Sequence, residues 1–194
     1  MTDAAEIVYI VDDDPSVRTA LARLLGSAGY GVETFDSAEA FLAHEHADNL
    51  ACLLLDVSMP GLDGLALQSR LAAREKALSI VFLTGHGDIP MSVTAMKQGA
   101  CDFLTKPVDD EVLLEAVRQA LHKQRADLAE RLVIHAARAR MASLTPREAE
   151  VLGWVIDGAL NKQIAAQLGI SEATVKIHRG RVMQKMGATS VAQL

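Results

Sequence analysis

Three consecutive aspartates, Asp12, Asp13 and Asp14, follow directly on the apolar run Ile7–Val11, and Asp56 follows another apolar run at 52–55. Thr84 and Lys106 each close a further short apolar stretch. Carboxylates drawn together repel one another unless a cation lies among them. Mg²⁺ suits such a cluster, being a hard ion that takes a few carboxylates and keeps water and phosphate oxygens as its other ligands. A carboxylate is also a competent phosphoryl acceptor. Phosphoryl transfer is catalysed mainly by positioning and by neutralising charge on oxygen. Lys106 offers a point charge for that purpose, and Thr84 a hydroxyl hydrogen bond. The aspartate triplet alone better suits a solvated acidic turn; its conjunction with Asp56, Thr84 and Lys106 favours a site.

For these residues to meet, the apolar runs must be neighbouring strands. Residues 6 to about 123 alternate short apolar runs (7–11, 31–35, 52–55, 80–83 and 103–104) with stretches at helical spacing (15–28, from Ser37, 62–73, 89–98 and from 110). Five such repeats with nearly continuous apolar strands imply an α/β fold, a (βα)5 doubly wound parallel sheet covered on both faces. In such sheets ligands bind at the carboxyl ends of the strands near a topological switch point. Asp12, Asp13, Asp56, Thr84 and Lys106 all fall at strand ends, as that rule requires.

Half of the residues are hydrophobic and 23% charged, the composition of a globular protein. No apolar run approaches a membrane span, and the first residues lack the basic stretch of a signal peptide. With Cys52 and Cys101 spaced as isolated buried thiols, a cytoplasmic location is expected. The net charge of −6 is unevenly divided: residues 1–121 hold 8 basic and 19 acidic groups, and residues 122–194 hold 11 and 6. An acidic half joined to a basic half suggests two domains, only the second suited to a phosphate backbone.

Residues 110 to about 140 contain neither Gly nor Pro and read as one long helix leaving the first domain. Leu114, Val117, Leu121, Leu128 and His135 lie near a heptad seam interrupted at Gln124 and Arg131, so a helical spacer and a weak coiled coil both remain open. Beyond it, Thr145, Pro146 and Glu148 form a capping box with a proline at the first helical position. That helix ends near Gly158. A short helix at 161–168, a turn at Gly169 and a helix capped by Ser171 then make a helix-turn-helix. On the last helix Val175, Val182 and Met186 share one face, assigned to the core. Lys176, Ile177 and Gly180 share the opposite one, flanked by Arg179 and Arg181. An anchored apolar face with a basic face on offer suits a recognition helix in a major groove, although residues 143–194 hold only 6 basic against 4 acidic groups.

The motifs IVDDD (10–14), LLLDVSMPGLDG (53–64), LTGHGD (83–88) and AMKQGACDFLTKP (95–107), with LTPREAEVL, NKQIAAQLGIS and TVKIHRGRVMQKM further on, resemble two-component response regulators. Among these the chain is most similar to the FixJ-type branch of the NarL/LuxR-type regulators. The resemblance implies a receiver domain over 1–122, a helical linker over 123–142 and a LuxR-type helix-turn-helix domain over 143–194. It implies that a sensor histidine kinase phosphorylates Asp56. Asp13, Asp56 and the carbonyl of Ser58 would hold Mg²⁺ directly, with Asp12 acting mainly through water. Thr84 and Phe103 match the switch pair, and Lys106 the invariant lysine, usually followed by a cis proline as at Pro107. Phe103, which by itself reads as a core aromatic, becomes a ring that moves inward when Thr84 shifts toward the phosphoryl group.

Ser58 and His86 match positions that tune the lifetime of the phosphoryl group; His86 either donates to it or faces solvent. Lys176, Ile177 and the position of Gly180 would face bases, with Arg179 against phosphate. Gly180 departs from relatives that carry a side chain there. At Ser190–Leu194, where this sequence stops, relatives continue a fourth helix. The implied function is a transcription regulator that dimerises on phosphorylation, through a face including Val93 and Lys97, and binds double-stranded promoter DNA alongside RNA polymerase. It would catalyse only its own phosphorylation and dephosphorylation. A phosphate sink or protein-docking module, and a metal-dependent hydrolase, are the rival readings; the basic recognition face opposes the first, and the lack of a second general base the other.

Overall fold

The computed structural model describes residues 6–45, 50–73, 78–85 and 89–194. They belong to two compact units, 1–128 and 129–194. In the first, five strands form one parallel sheet: β1 (Ile7–Val11), β2 (Gly31–Phe35), β3 (Ala51–Leu55), β4 (Ser79–Thr84) and β5 (Asp102–Thr105), in the order β2-β1-β3-β4-β5. The order reverses at β1, which pairs with both β2 and β3. Val11 pairs with Leu55, so Asp12 and Asp56 emerge side by side from adjacent strands.

The period-2 alternation of the strands sorts their side chains between two cores. Tyr9, Val11, Leu53, Leu55 and Phe82 point to one face, against α2 (Ala38–Ala43), α3 (Gly64–Ala72) and α4 (Ile89–Lys97). Val8, Ile10, Leu54, Val81 and Leu83 point to the other, against α1 (Pro15–Ser27) and the first part of α5 (Asp110–Ala142). Both cysteines are free, and burial pushes the Cys52 thiol well above its ordinary value. No helix among the described residues is long and apolar enough to cross a membrane.

The single helix expected after residue 110 is α5, 33 residues long. It stays tied to the first unit beyond residue 122. Lys123 Nζ donates to the Gly99 carbonyl (3.3 Å), Gln124 Oε1 accepts from Ser79 N (2.9 Å), and Arg125 pairs with Glu6 (2.6 Å). Val117 and Leu121, placed on a heptad seam by their spacing, are buried against the sheet. A seam and a sheet-facing stripe share nearly the same period, so spacing alone does not separate them.

The second unit contains α6 (Pro146–Ile156), α7 (Asn161–Leu168) and α8 (Glu172–Met186), with a short 3-10 turn at Val191–Gln193. Val151, Val155, Ile164, Ala165 and Val175 make its core. Gly169, at φ +64°, makes the tight turn between α7 and α8, a left-handed conformation that costs glycine no Cβ clash. The capping box is present: Glu148 N donates to Thr145 Oγ1 (3.3 Å), and Thr145 N to Glu148 Oε2 (2.9 Å).

The same Glu148 oxygen accepts from Lys185 of α8 at 2.6 Å. The Lys185 ammonium, then the Thr145 amide, hold the Glu148 carboxyl down from 4.5 to about 2. A carboxylate whose value is lower folded than unfolded contributes stability above its unfolded value and loses it as pH falls through the folded one. Glu148 therefore stabilises the second unit above about pH 4.5, and the contribution fades from there to about pH 2. Trp154, the single tryptophan, lies in α6, so its fluorescence follows this unit. The Trp154-detected melting temperature of Glu148→Gln should be lower than wild type at pH 7, and the gap should close toward pH 2. A pH-independent gap would overturn this account.

Candidate functional site

Asp12 and Asp56 are 2% and 7% exposed, at the carboxyl ends of the two central strands. Burying two carboxylates side by side is costly without countercharge. Lys106 Nζ supplies it, donating to Asp12 Oδ2 (2.6 Å) and to Asp56 Oδ2 (2.9 Å). Burial raises the Asp12 carboxyl above its ordinary value, against the pull of the Lys106 bond. Burial also pulls Lys106 down, but its two carboxylate partners outweigh that and hold it above an ordinary lysine. The Lys106-Pro107 bond is cis. Asp13 is exposed, yet it offers an oxygen to a cluster in which the ligand atoms of Asp12, Asp13 and Asp56 all lie within 4.8 Å of one another. Three carboxylates against one ammonium leave two negative charges, which a divalent cation balances; oxygen donors alone favour a hard one. The residues fit Mg²⁺.

Asp14, the third member of the triplet, is not part of the cluster. It caps α1, accepting from Ser16 N at 2.8 Å. Arg18, Glu39 and Asp63, not singled out by sequence, brace the pocket together with the amides of Asp14 and Ser58. Asp12 Oδ1 accepts from Asp14 N (2.9 Å), and Arg18 Nη1 donates to the Asp12 carbonyl at 2.6 Å. Ser58, exposed, donates its amide to Asp56 Oδ1 at 3.2 Å. Glu39 of α2 accepts from Leu62 N at 3.2 Å and so ties down the loop after Asp56. Asp63 caps α3 through Ala66 N (2.7 Å), which starts that helix at Gly64, two residues later than its apolar spacing suggests.

Gly64 makes the closest approach to the pocket backbone. A Cβ there would collide with the Asp56 carbonyl oxygen and lie 3.0 Å from Val57 Cα. The obstacle is backbone, which cannot swing aside as a side chain would. The Asp-Gly pair at the helix start was the available signal. Gly64→Ala should lower stability by ~1–3 kcal/mol, the usual cost of overpacking, read as a fall in the urea midpoint. A midpoint unchanged from wild type would contradict it.

Thr84, fully buried, ends β4, and its carbonyl accepts from Lys106 N at 2.8 Å. Phe103 is half-buried on the neighbouring strand, its ring 5.9 Å from Phe82. Val93 (44% exposed) and the exposed Lys97 lie one turn apart on α4, with Met96 also exposed. His86 lies outside the described residues.

On α8, Val175 and Val182 are fully buried and Met186 is half-buried, while Lys176, Ile177, Gly180 and Arg181 are exposed. Arg179 differs from its basic neighbours. It is half-buried, and its Nη1 donates to Asn161 Oδ1 (3.0 Å) and the Ala159 carbonyl (3.5 Å).

Two family models match these two units. Residues 8–118 match the response regulator receiver domain, and residues 142–194 match the bacterial regulatory proteins of the luxR family. Nodulation protein W of Bradyrhizobium diazoefficiens is 46% identical over 97% of this chain and 83% of its own length. The transcriptional regulatory protein FixJ of the same organism is 42% identical over 96% of this chain and 91% of its own. The solved structure of the response regulator StyR, 48% identical, superposes with a TM-score of 0.87 and covers 97% of this chain and 96% of its own. The chain belongs to the response regulators that join a receiver domain to a LuxR-type DNA-binding domain.

Proposed function

We propose that this response regulator is phosphorylated on Asp56 by a sensor histidine kinase, and that the phosphorylated form dimerises and binds promoter DNA. The observation that carries the reading is the bridge from Lys106 Nζ to both Asp12 and Asp56. It puts a fixed ammonium where phosphoryl oxygens would gather, beside carboxylates that still need a divalent cation. Asp12, Asp13, Asp56 and the Ser58 carbonyl would hold Mg²⁺, which when bound neutralises phosphoryl oxygens. An Asp56 carboxylate oxygen attacks the phosphorus carried on the kinase's histidine, forming the P–O bond as the P–N bond breaks and the imidazole leaves with its electron pair. Lys106 stabilises charge on the phosphoryl oxygens, and Thr84 contributes a hydroxyl hydrogen bond. Ser58, small and exposed, leaves room for the water that later removes the group. The chemistry is thus confined to the protein's own phosphorylation and dephosphorylation. Phe103 answers the movement of Thr84 and changes the α4–β5 surface, where Val93 and Lys97 would meet a second copy. Lys176, Ile177 and Arg181 enter the major groove, and RNA polymerase is the expected partner at the promoter. The proposed divisions are 1–122, 123–142 and 143–194.

The test is duplex binding by the full chain before and after treatment with a small phosphodonor and Mg²⁺, at one salt concentration. A gain in affinity is expected, and equal affinity in both states would overturn the coupling. Asp13→Asn should weaken Mg²⁺ binding, because it removes a charged ligand; a metal titration matching wild type would remove Asp13 from the ligand set.

A further inference from the structure

We propose that Arg179 is a positioning residue, which fixes the middle of α8 against the start of α7, and that it neutralises no DNA phosphate. The proposal rests on α8 being the recognition helix. That helix is attached to its unit near both ends. Val175 packs into the core with Ile164 and Ala165 of α7. Lys185 bonds the Glu148 carboxylate (2.6 Å) and the Ser143 carbonyl (2.9 Å). Between these anchors lies the surface offered to DNA. Lys176, Ile177 and Arg181 are exposed, and Gly180 has no side chain, a Cβ there meeting nothing within 4 Å.

Arg179 lies at this middle level and turns back into the protein. Its Nη1 meets Asn161 Oδ1 at 3.0 Å and the Ala159 carbonyl at 3.5 Å. Those acceptors sit at the start of α7 and in the residues leading into it. One guanidinium thus ties the recognition helix to both. A weakly hydrated guanidinium tolerates the partial burial this requires.

The two roles leave different signatures. A phosphate contact releases counterions, so its loss flattens the dependence of log Kobs on log[salt] and weakens all sequences alike. An internal tie releases none. Its loss lets α8 tilt or roll, which harms base contacts, held to narrow geometry, more than backbone contacts. Asn161 then becomes a partner in specificity although its side-chain oxygen is engaged within the protein.

The experiment compares the full chain on two duplexes: one selected by the wild type from a random-sequence pool, and a scrambled duplex of equal composition. Arg179→Met and Asn161→Ala should each reduce the selected-to-scrambled affinity ratio by ~tenfold, the loss expected of one misplaced base contact. The double variant should lose little more, since the two residues act as one unit, and salt slopes should match wild type. Arg179→Lys keeps the charge on a stem that cannot reproduce the guanidinium geometry. It should also lose specificity, and it serves as the reading variant if Trp154 fluorescence shows Arg179→Met to be unfolded. The proposal is overturned if Arg179→Met flattens the salt slope by ~0.9 per chain bound while Asn161→Ala and Arg179→Lys behave as wild type. Lys176→Ala, run in parallel, should weaken the selected duplex; if it does not, the assignment of α8 as recognition helix fails as well.

Discussion

Asp56→Asn is expected to take up no label from a small phosphodonor in the presence of Mg²⁺, while the wild type labels on that residue alone. The substitution removes the nucleophilic oxygen anion; its amide nitrogen, at the Oδ2 position, also gives up the Lys106 bond, a loss offset by relief of repulsion among three crowded carboxylates. The amide is nearly isosteric with the carboxylate, and its oxygen still accepts the Ser58 amide, now 3.2 Å from Asp56 Oδ1. Lys106 keeps Asp12 as a charged partner at 2.6 Å. The urea midpoint of the variant should therefore stay close to wild type, which separates lost chemistry from lost fold. An acid-labile, base-labile acyl phosphate of undiminished intensity in Asp56→Asn would refute the assignment. Label moving to Asp12 or Asp13 would show that the cluster, and not one member of it, is the acceptor.

The second large effect concerns DNA affinity. A single DNA-binding unit with few basic groups makes few phosphate contacts and binds weakly, with a shallow salt dependence. Two units on one dimer set two recognition helices in successive major grooves and select half-sites about one helical turn apart. Linking two such binding events raises apparent affinity by on the order of 10²-fold without any new base contact. Val93, 44% exposed on α4, lies on the face proposed for dimerisation. Val93→Asp should still accept phosphate on Asp56 but sediment as a monomer, with the affinity gain gone. Lys176→Ala should instead lower affinity in both phosphorylation states, because it acts on the contact and not on the pairing. A phosphorylated Val93→Asp protein that still dimerises at micromolar concentration would exclude this face.

Much of this arrangement was legible in the sequence because strand periodicity and polar punctuation are local. Runs such as 7–11 and 52–55 identify themselves as strands buried on both faces, and a parallel sheet places the residues after them on one rim. Asp12, Asp56, Thr84 and Lys106 could be grouped on that ground. Local chemistry also located the helix starts at Thr145 and Ser171, since a cap is a contact between residues three apart. Tertiary structure alone decided matters that join residues distant in sequence. Lys106 reaches across 94 and 50 residues to Asp12 and Asp56. Gly64 is needed because the start of α3 abuts the backbone of Asp56, a clash no spacing records. Asp14 caps a helix although it is chemically identical to its two neighbours, because the strand has ended and its side chain faces the first turn of α1. Val117 and Leu121 face the sheet and form no coiled coil, since period fixes a stripe without naming what covers it. Arg179 shares its charge with Lys176 and Arg181; standing four residues after Val175 and three before Val182 it lies beside the buried face, but neither spacing nor charge says what it binds. The acceptors at Ala159 and Asn161 decide that, because they turn its guanidinium inward, and they are brought there only by the packing of α7 against α8.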